Sequence, residues 1–141
     1  MVELSIEEKI TLSDLRAEKS RDTLSDAINN FNAGMYKTSV NRSYYAVLHS
    51  ARSLLILKGI DPARHEGVKT MLSLHFIRPN LLPKDVIEIF KELMVLRTDV
   101  DYGDLEFIGK DEAEKALAQA KRFIETIEPL RSNLIKDCRG E

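Results

Sequence analysis

Arg42, Tyr45, His49 and Arg52 follow one another at three- and four-residue steps. On a helix that spacing gathers the four side chains into a single stripe. Two guanidiniums, an imidazole and a phenol in a row can grip phosphates bidentately and stack on a base, which is what nucleotide or single-stranded RNA recognition needs. The plain alternative is a solvated helix face, since polar stripes are normal on amphipathic helices. A second unusual pair lies further along, where Arg97 and Asp101 continue the row Ile87, Phe90, Met94 at the same helical steps. A cation and an anion thus extend an apolar row. Lying four residues apart they can bridge each other, although the acid is in the less favourable C-terminal position. The functional alternative places Arg97, Asp101 and Tyr102 at a helix end that opens onto a groove or a partner subunit. Turned toward the Arg42 to Arg52 stripe, they would make one pocket with it.

Other chemistries find little support. His65-Glu66 is followed by Lys69 where a two-histidine zinc helix would need its second ligand, so zinc is not expected. By position, His65 reads as a surface or capping residue, and His75 as a helix-end residue suited to the dipole there. The single Cys138 allows neither an internal disulfide nor a cysteine metal site, which fits a reducing cytoplasm. No glycine-rich phosphate loop, nucleophile elbow or Ser/His/Asp arrangement can be picked out. The reading therefore includes no metal and no cofactor. A net charge of -2 argues against a broad basic surface for duplex DNA and leaves room only for a local basic groove. No apolar run approaches the length of about 20 residues that crosses a bilayer, so no membrane partner is expected.

The elements that must position these residues are helices. With 141 residues, 43% hydrophobic and 31% charged, residues 1-141 fit one ordinary domain. Apolar residues recur at helical spacing throughout, giving an all-α, up-and-down bundle of four to five helices. The first is expected from about Ser5 to Asn32, facing Leu12, Leu15, Leu24, Ala27, Ile28 and Phe31 inward, with Gly34 as its left-handed cap. The second should span Tyr36 to Lys58, stopped by Gly59 and Asp61-Pro62, and form an antiparallel hairpin with the first. A third is expected from Pro62 or Ala63 to Phe76. A fourth should begin near Pro83; its two apolar rows suggest the central position. Asp111 and Glu114 read as a capping box opening the last helix, whose core face is Ala113, Ala116, Leu117, Ala120, Ile124 and Ile127. Pro129 is expected to kink or end it, leaving residues 130-141 as a loose polar tail.

Three blocks of this sequence resemble the HEPN domain in its prokaryotic, stand-alone form: Asn41 to Leu55, His65-Glu66-Gly67-Val68, and Leu96 to Gly103. The blocks occur in the family's order, and the similarity covers nearly the whole chain. The resemblance implies a bundle of four to five helices, a homodimer, and pairing with a small nucleotidyltransferase as toxin and antitoxin. Several HEPN groups are metal-independent ribonucleases with an arginine followed, after four to six residues, by a histidine, at a site formed across the dimer. Arg97 matches that arginine. After gaps of four, five and six residues this chain has Tyr102, Gly103 and Asp104, so the family's histidine, the group best suited to proton exchange near neutral pH, is replaced. Three functions stand side by side. The first is a nucleotide- or RNA-binding partner of a nucleotidyltransferase, using Arg97, Asp101, Tyr102 and the Arg42, Tyr45, His49, Arg52 stripe. The second is an active metal-independent ribonuclease toxin in which Tyr102, or a histidine such as His49, stands in for the missing group. The third is a non-catalytic helical adaptor, for which a repeat period would be needed and none is visible.

Overall fold

Ser5 and Glu8 cap one another: the Glu8 N–H donates to the Ser5 hydroxyl at 3.1 Å and the Ser5 N–H donates to the Glu8 carboxylate at 2.9 Å. In the computed structural model, which describes residues 3–103 and 107–141, this cap starts α1 (Ile6–Asn32). Gly34, at φ +76°, supplies the left-handed backbone that reverses the chain, and α2 (Tyr36–Leu55) runs back along α1. A 3-10 turn over Ile56–Lys58 ends at Gly59, again with positive φ. Next come α3 (His65–Leu72) with a π-helical turn over Ser73–Ile77, then α4 (Lys84–Asp101) and α5 (Lys110–Arg139). Among the described residues there is no strand, so the expected all-α bundle is the observed one.

The central element is α2, which packs against every other helix, and not α4 as the apolar rows suggest. Its Val40, Tyr44, Val47, Leu48, Ala51, Leu54 and Leu55 are buried, and so are Ser39, Ser43, Ser50 and Ser53 between them. Small polar residues on the remaining faces let neighbours close in on all sides. By contrast α4 buries Val86, Ile87, Ile89, Phe90 and Leu93, while its Val95 is 56% exposed. Tyr44, Phe90 and Phe123 stack through the middle, with ring centroids 5.9 and 6.4 Å apart.

The inward face of α1 also differs from expectation. Ile10, Ser13, Ala17, Ser20, Thr23 and Ala27 are buried, whereas Leu15 is 57% exposed. Small residues bring the two backbones together, and hydroxyls then bond across the seam. Ser13 donates to the Ser53 carbonyl and Ser20 to the Ala46 carbonyl, both at 2.7 Å, and Ser39 donates to Ala27 at 2.8 Å. A hydrophobicity count gives such serines no weight, although each satisfied hydroxyl is as much part of the core as a methyl group.

On α5 the predicted face of Ala113, Ala116, Leu117, Ala120, Ile124 and Ile127 is buried, together with Phe123. The Asp111–Glu114 capping box does not form: the helix starts at Lys110 after Gly109, and Asp111 lies within the first turn, where an acid favours the dipole. Nor does Pro129 end the helix, which continues to Arg139 in place of the loose tail. Proline removes one backbone donor, but tertiary contacts hold the following turns. Arg131 bridges Asp14 at 2.8 Å and Glu128 at 3.1 Å and donates to the Ser13 hydroxyl, while Leu130 and Leu134 pack against the core.

Candidate functional site

The middle of α2, the start of α3 and the end of α4 meet at Arg97. Its guanidinium lies 5.0 Å from the Tyr44 ring centroid and 5.7 Å from that of Tyr45. Two partners hold it there: Nη1 donates to Asp101 at 3.3 Å, and Nη2 reaches His65 Nδ1 at 3.4 Å. The Tyr44 hydroxyl meets the same His65 nitrogen at 2.9 Å. On the other side Asn41 donates to both Asp101 oxygens at 3.3 Å and accepts from Arg42 Nε and Nη2 at 3.0 and 2.7 Å. One polar chain, Tyr44–His65–Arg97–Asp101–Asn41–Arg42, thus joins three helices.

Most of the residues singled out in the sequence share this neighbourhood. Arg42 lies over the Tyr45 ring at 5.1 Å, and His49 packs against Tyr45 with centroids 6.3 Å apart. Arg52 points the other way along the stripe, toward the carbonyls of Pro62 and Ala63, both at 3.4 Å, and so ties down the segment that delivers His65. Tyr102 is not brought in: it is 76% exposed and, among the described residues, makes no side-chain hydrogen bond to the chain above. Asp104 lies outside the described residues. His65 is the residue that positional reasoning misplaced. It is neither a cap nor a bystander but the junction between Tyr44 and Arg97. The available signal was Tyr44, a phenol in the middle of an apolar face, because a buried hydroxyl requires a partner.

The electrostatics follow from crowding cations around aromatic groups. Burial, and then the charges of Arg97 and Arg52, push the His65 pKa below its ordinary value. Burial raises the Tyr44 hydroxyl to about 12 against the opposing pull of Arg97. His49 is driven down to about 4, first by burial and then by Lys19, Arg52, Arg42 and Arg16. Because folded His49 resists the proton that the unfolded chain accepts near 6.5, stability is retained above that pH and is lost as pH falls toward 4. After discounting for solvent screening the loss should be about 1–2 kcal/mol. Urea denaturation at a series of pH values should reveal it, and His49→Gln should flatten that part of the curve; an unchanged curve would remove His49 as its source.

The Arg97 donors are incompletely used. Its two contacts are long, and its buried Nε–H finds no acceptor. Beside it is a shallow cleft of about 260 Å³, bounded by His65, Glu66, Met94, Arg97 and Thr98 among others. A guanidinium bordering an open cleft suits a phosphate. Among the described residues no three His, Cys, Asp or Glu side chains gather to hold a metal ion, and no helix is long and apolar enough to cross a membrane.

Comparison with known proteins places the chain in a family. The chain is 33% identical over 107 residues to the Methanocaldococcus jannaschii protein named "Putative toxin MJ0142", covering 76% of this chain and 73% of that one. It is 32% identical over 110 residues to "Putative toxin MJ0605" of the same organism, covering 78% and 81%. A UPF0332 protein of Archaeoglobus fulgidus is 31% identical over 113 residues, covering 79% and 89%. The HEPN domain matches residues 14–130, a span that takes in all three helices contributing to the Arg97 cluster. By that match, and by the helical bundle that carries it, the chain belongs to the HEPN domain family.

Proposed function

We propose that this single-domain protein is a HEPN-type toxin that binds single-stranded RNA or a nucleotide at the Arg97 cluster and is held in check by a partner nucleotidyltransferase. The observation that carries the reading is the Arg97 guanidinium, laid over Tyr44 and Tyr45 and bordering a cleft. Arg42 beside Tyr45 extends the positive, aromatic strip along α2. The toxin names of the Methanocaldococcus relatives support the biological role. In this reading the chain acts in the cytoplasm as a homodimer, and phosphate contacts supply affinity while aromatic faces take bases.

The test is binding of a labelled single-stranded oligoribonucleotide to the native chain, in chelator, at increasing salt. Affinity should fall with salt, the logarithmic slope being roughly 0.7 per phosphate contacted, and the single strand should be preferred to duplex DNA of the same length. Equal affinity for both, or indifference to salt, would overturn the RNA reading. Expression of this chain alone should arrest growth, and a co-encoded nucleotidyltransferase should relieve it. A second reading, the metal-independent ribonuclease, rests on Arg97 as the match to the family's arginine; accumulation of cut product in the same chelated reaction distinguishes it from binding alone.

A further inference from the structure

His65 stands beside Arg97 where a proton-exchanging group would be sought, yet its bonding argues for another task. The ring nitrogen Nδ1 faces two groups at once, the Tyr44 hydroxyl at 2.9 Å and Arg97 Nη2 at 3.4 Å. A guanidinium has only donors, so Nδ1 must be the acceptor. The hydroxyl, free to rotate, then donates to it as well. With Nδ1 accepting, the proton of the neutral ring sits on Nε2, which diverges from both donors on the far side of the ring. His65 and Arg97 border the same cleft.

The geometry points to His65 as a phosphate ligand acting as a fixed hydrogen-bond donor: Nε2–H takes one phosphate of the nucleic-acid backbone, next along the strand from the phosphate held by the Arg97 guanidinium. The assignment rests on the proposed function and names the chemistry of that site more finely. It also excludes a base role, because Nδ1 is engaged by two donors and Nε2, carrying hydrogen, has no lone pair to offer. Burial first, and then the surrounding charges, favour the neutral ring. It is the first residue of α3, at the positive end of the helix dipole. Arg97 and Arg52 face it from α4 and α2, and the aromatic rings of Tyr44 and Tyr45 cover it at 5.6 and 5.9 Å. The neighbouring Glu66 is drawn off by Lys69 at 2.9 Å.

Two replacements separate the ring's two nitrogens. His65→Asn keeps an acceptor near the Nδ1 position and loses the distal donor; His65→Gln places an amide N–H near Nε2. With folding checked by circular dichroism, His65→Asn should bind the single-stranded oligoribonucleotide about tenfold or more weakly, and His65→Gln within about threefold of native, as expected for a hydrogen bond to a charged group. Nitrogen NMR of the native chain near neutral pH should show a protonated Nε2 and an unprotonated Nδ1, and the Nε2–H resonance should move on addition of the oligoribonucleotide. Binding by His65→Asn at the native level overturns the assignment, and so does a protonated Nδ1. Equal loss in both variants overturns the donor role, since it would make the ring itself the requirement. If the native chain does not bind, the proposed function falls too; native binding with an indifferent His65→Asn removes this inference alone.

Discussion

An Arg97→Ala chain is expected to bind single-stranded RNA between about tenfold and a hundredfold more weakly than the native chain, the usual value of a charge-assisted hydrogen bond to phosphate. The fold should survive. What the structure itself loses is a partly buried i,i+4 contact with Asp101 and the cation–π contact with Tyr44, the latter worth about 2 kcal/mol where desolvated. Asp101 keeps its hydrogen bonds from Asn41. A second readout separates a binding role from a scaffolding one. Since Arg97 is the largest charge effect, after burial, holding His65 below its ordinary pKa, its removal should raise the His65 titration midpoint. Proton NMR titration of the two chains would measure this. A native-like affinity in Arg97→Ala would make the guanidinium structural and end the nucleic-acid reading. Arg97→Lys should recover only part of the affinity, because an ammonium keeps the charge but neither the planar fork nor the stack.

The second large effect belongs to the core beneath the site. Phe90 is fully buried between Tyr44 and Phe123, so Phe90→Ala removes the middle of the aromatic stack and leaves a cavity against α2. A loss of about 3–5 kcal/mol is expected. That is a large share of the roughly 5–15 kcal/mol that holds a domain of ordinary stability. Urea denaturation followed by circular dichroism would read it as a lowered midpoint with an unchanged slope. Because the Tyr44 hydroxyl anchors His65, loosening the ring should also weaken RNA binding, at conditions where the variant is still folded. Phe90→Leu, which fills most of the volume, should return most of the stability and with it the affinity. A loss below about 1 kcal/mol in Phe90→Ala would mean that the core can collapse around the gap, which close packing normally prevents.

The class of fold was readable because helical periodicity, Gly34 at a left-handed turn and Pro83 before a helix act locally, within a few residues of chain. The sequence also placed Arg97 and the Arg42 to Arg52 stripe on their own helices, and the blocks around them pointed to the HEPN family. Spacing along one helix settles which side chains share a face, and no more than that. Which faces meet is decided by packing: the serine seam that turns Leu15 outward, the Arg131 contacts with α1 that carry α5 past Pro129, and the central placing of α2 all depend on partners 12 to 118 residues away in the chain. The pairing of His65 with Tyr44 and Arg97 is of the same kind. A histidine at the start of a short helix has no local sign of its role, and only the approach of two donors from separate helices fixes its tautomer and its task.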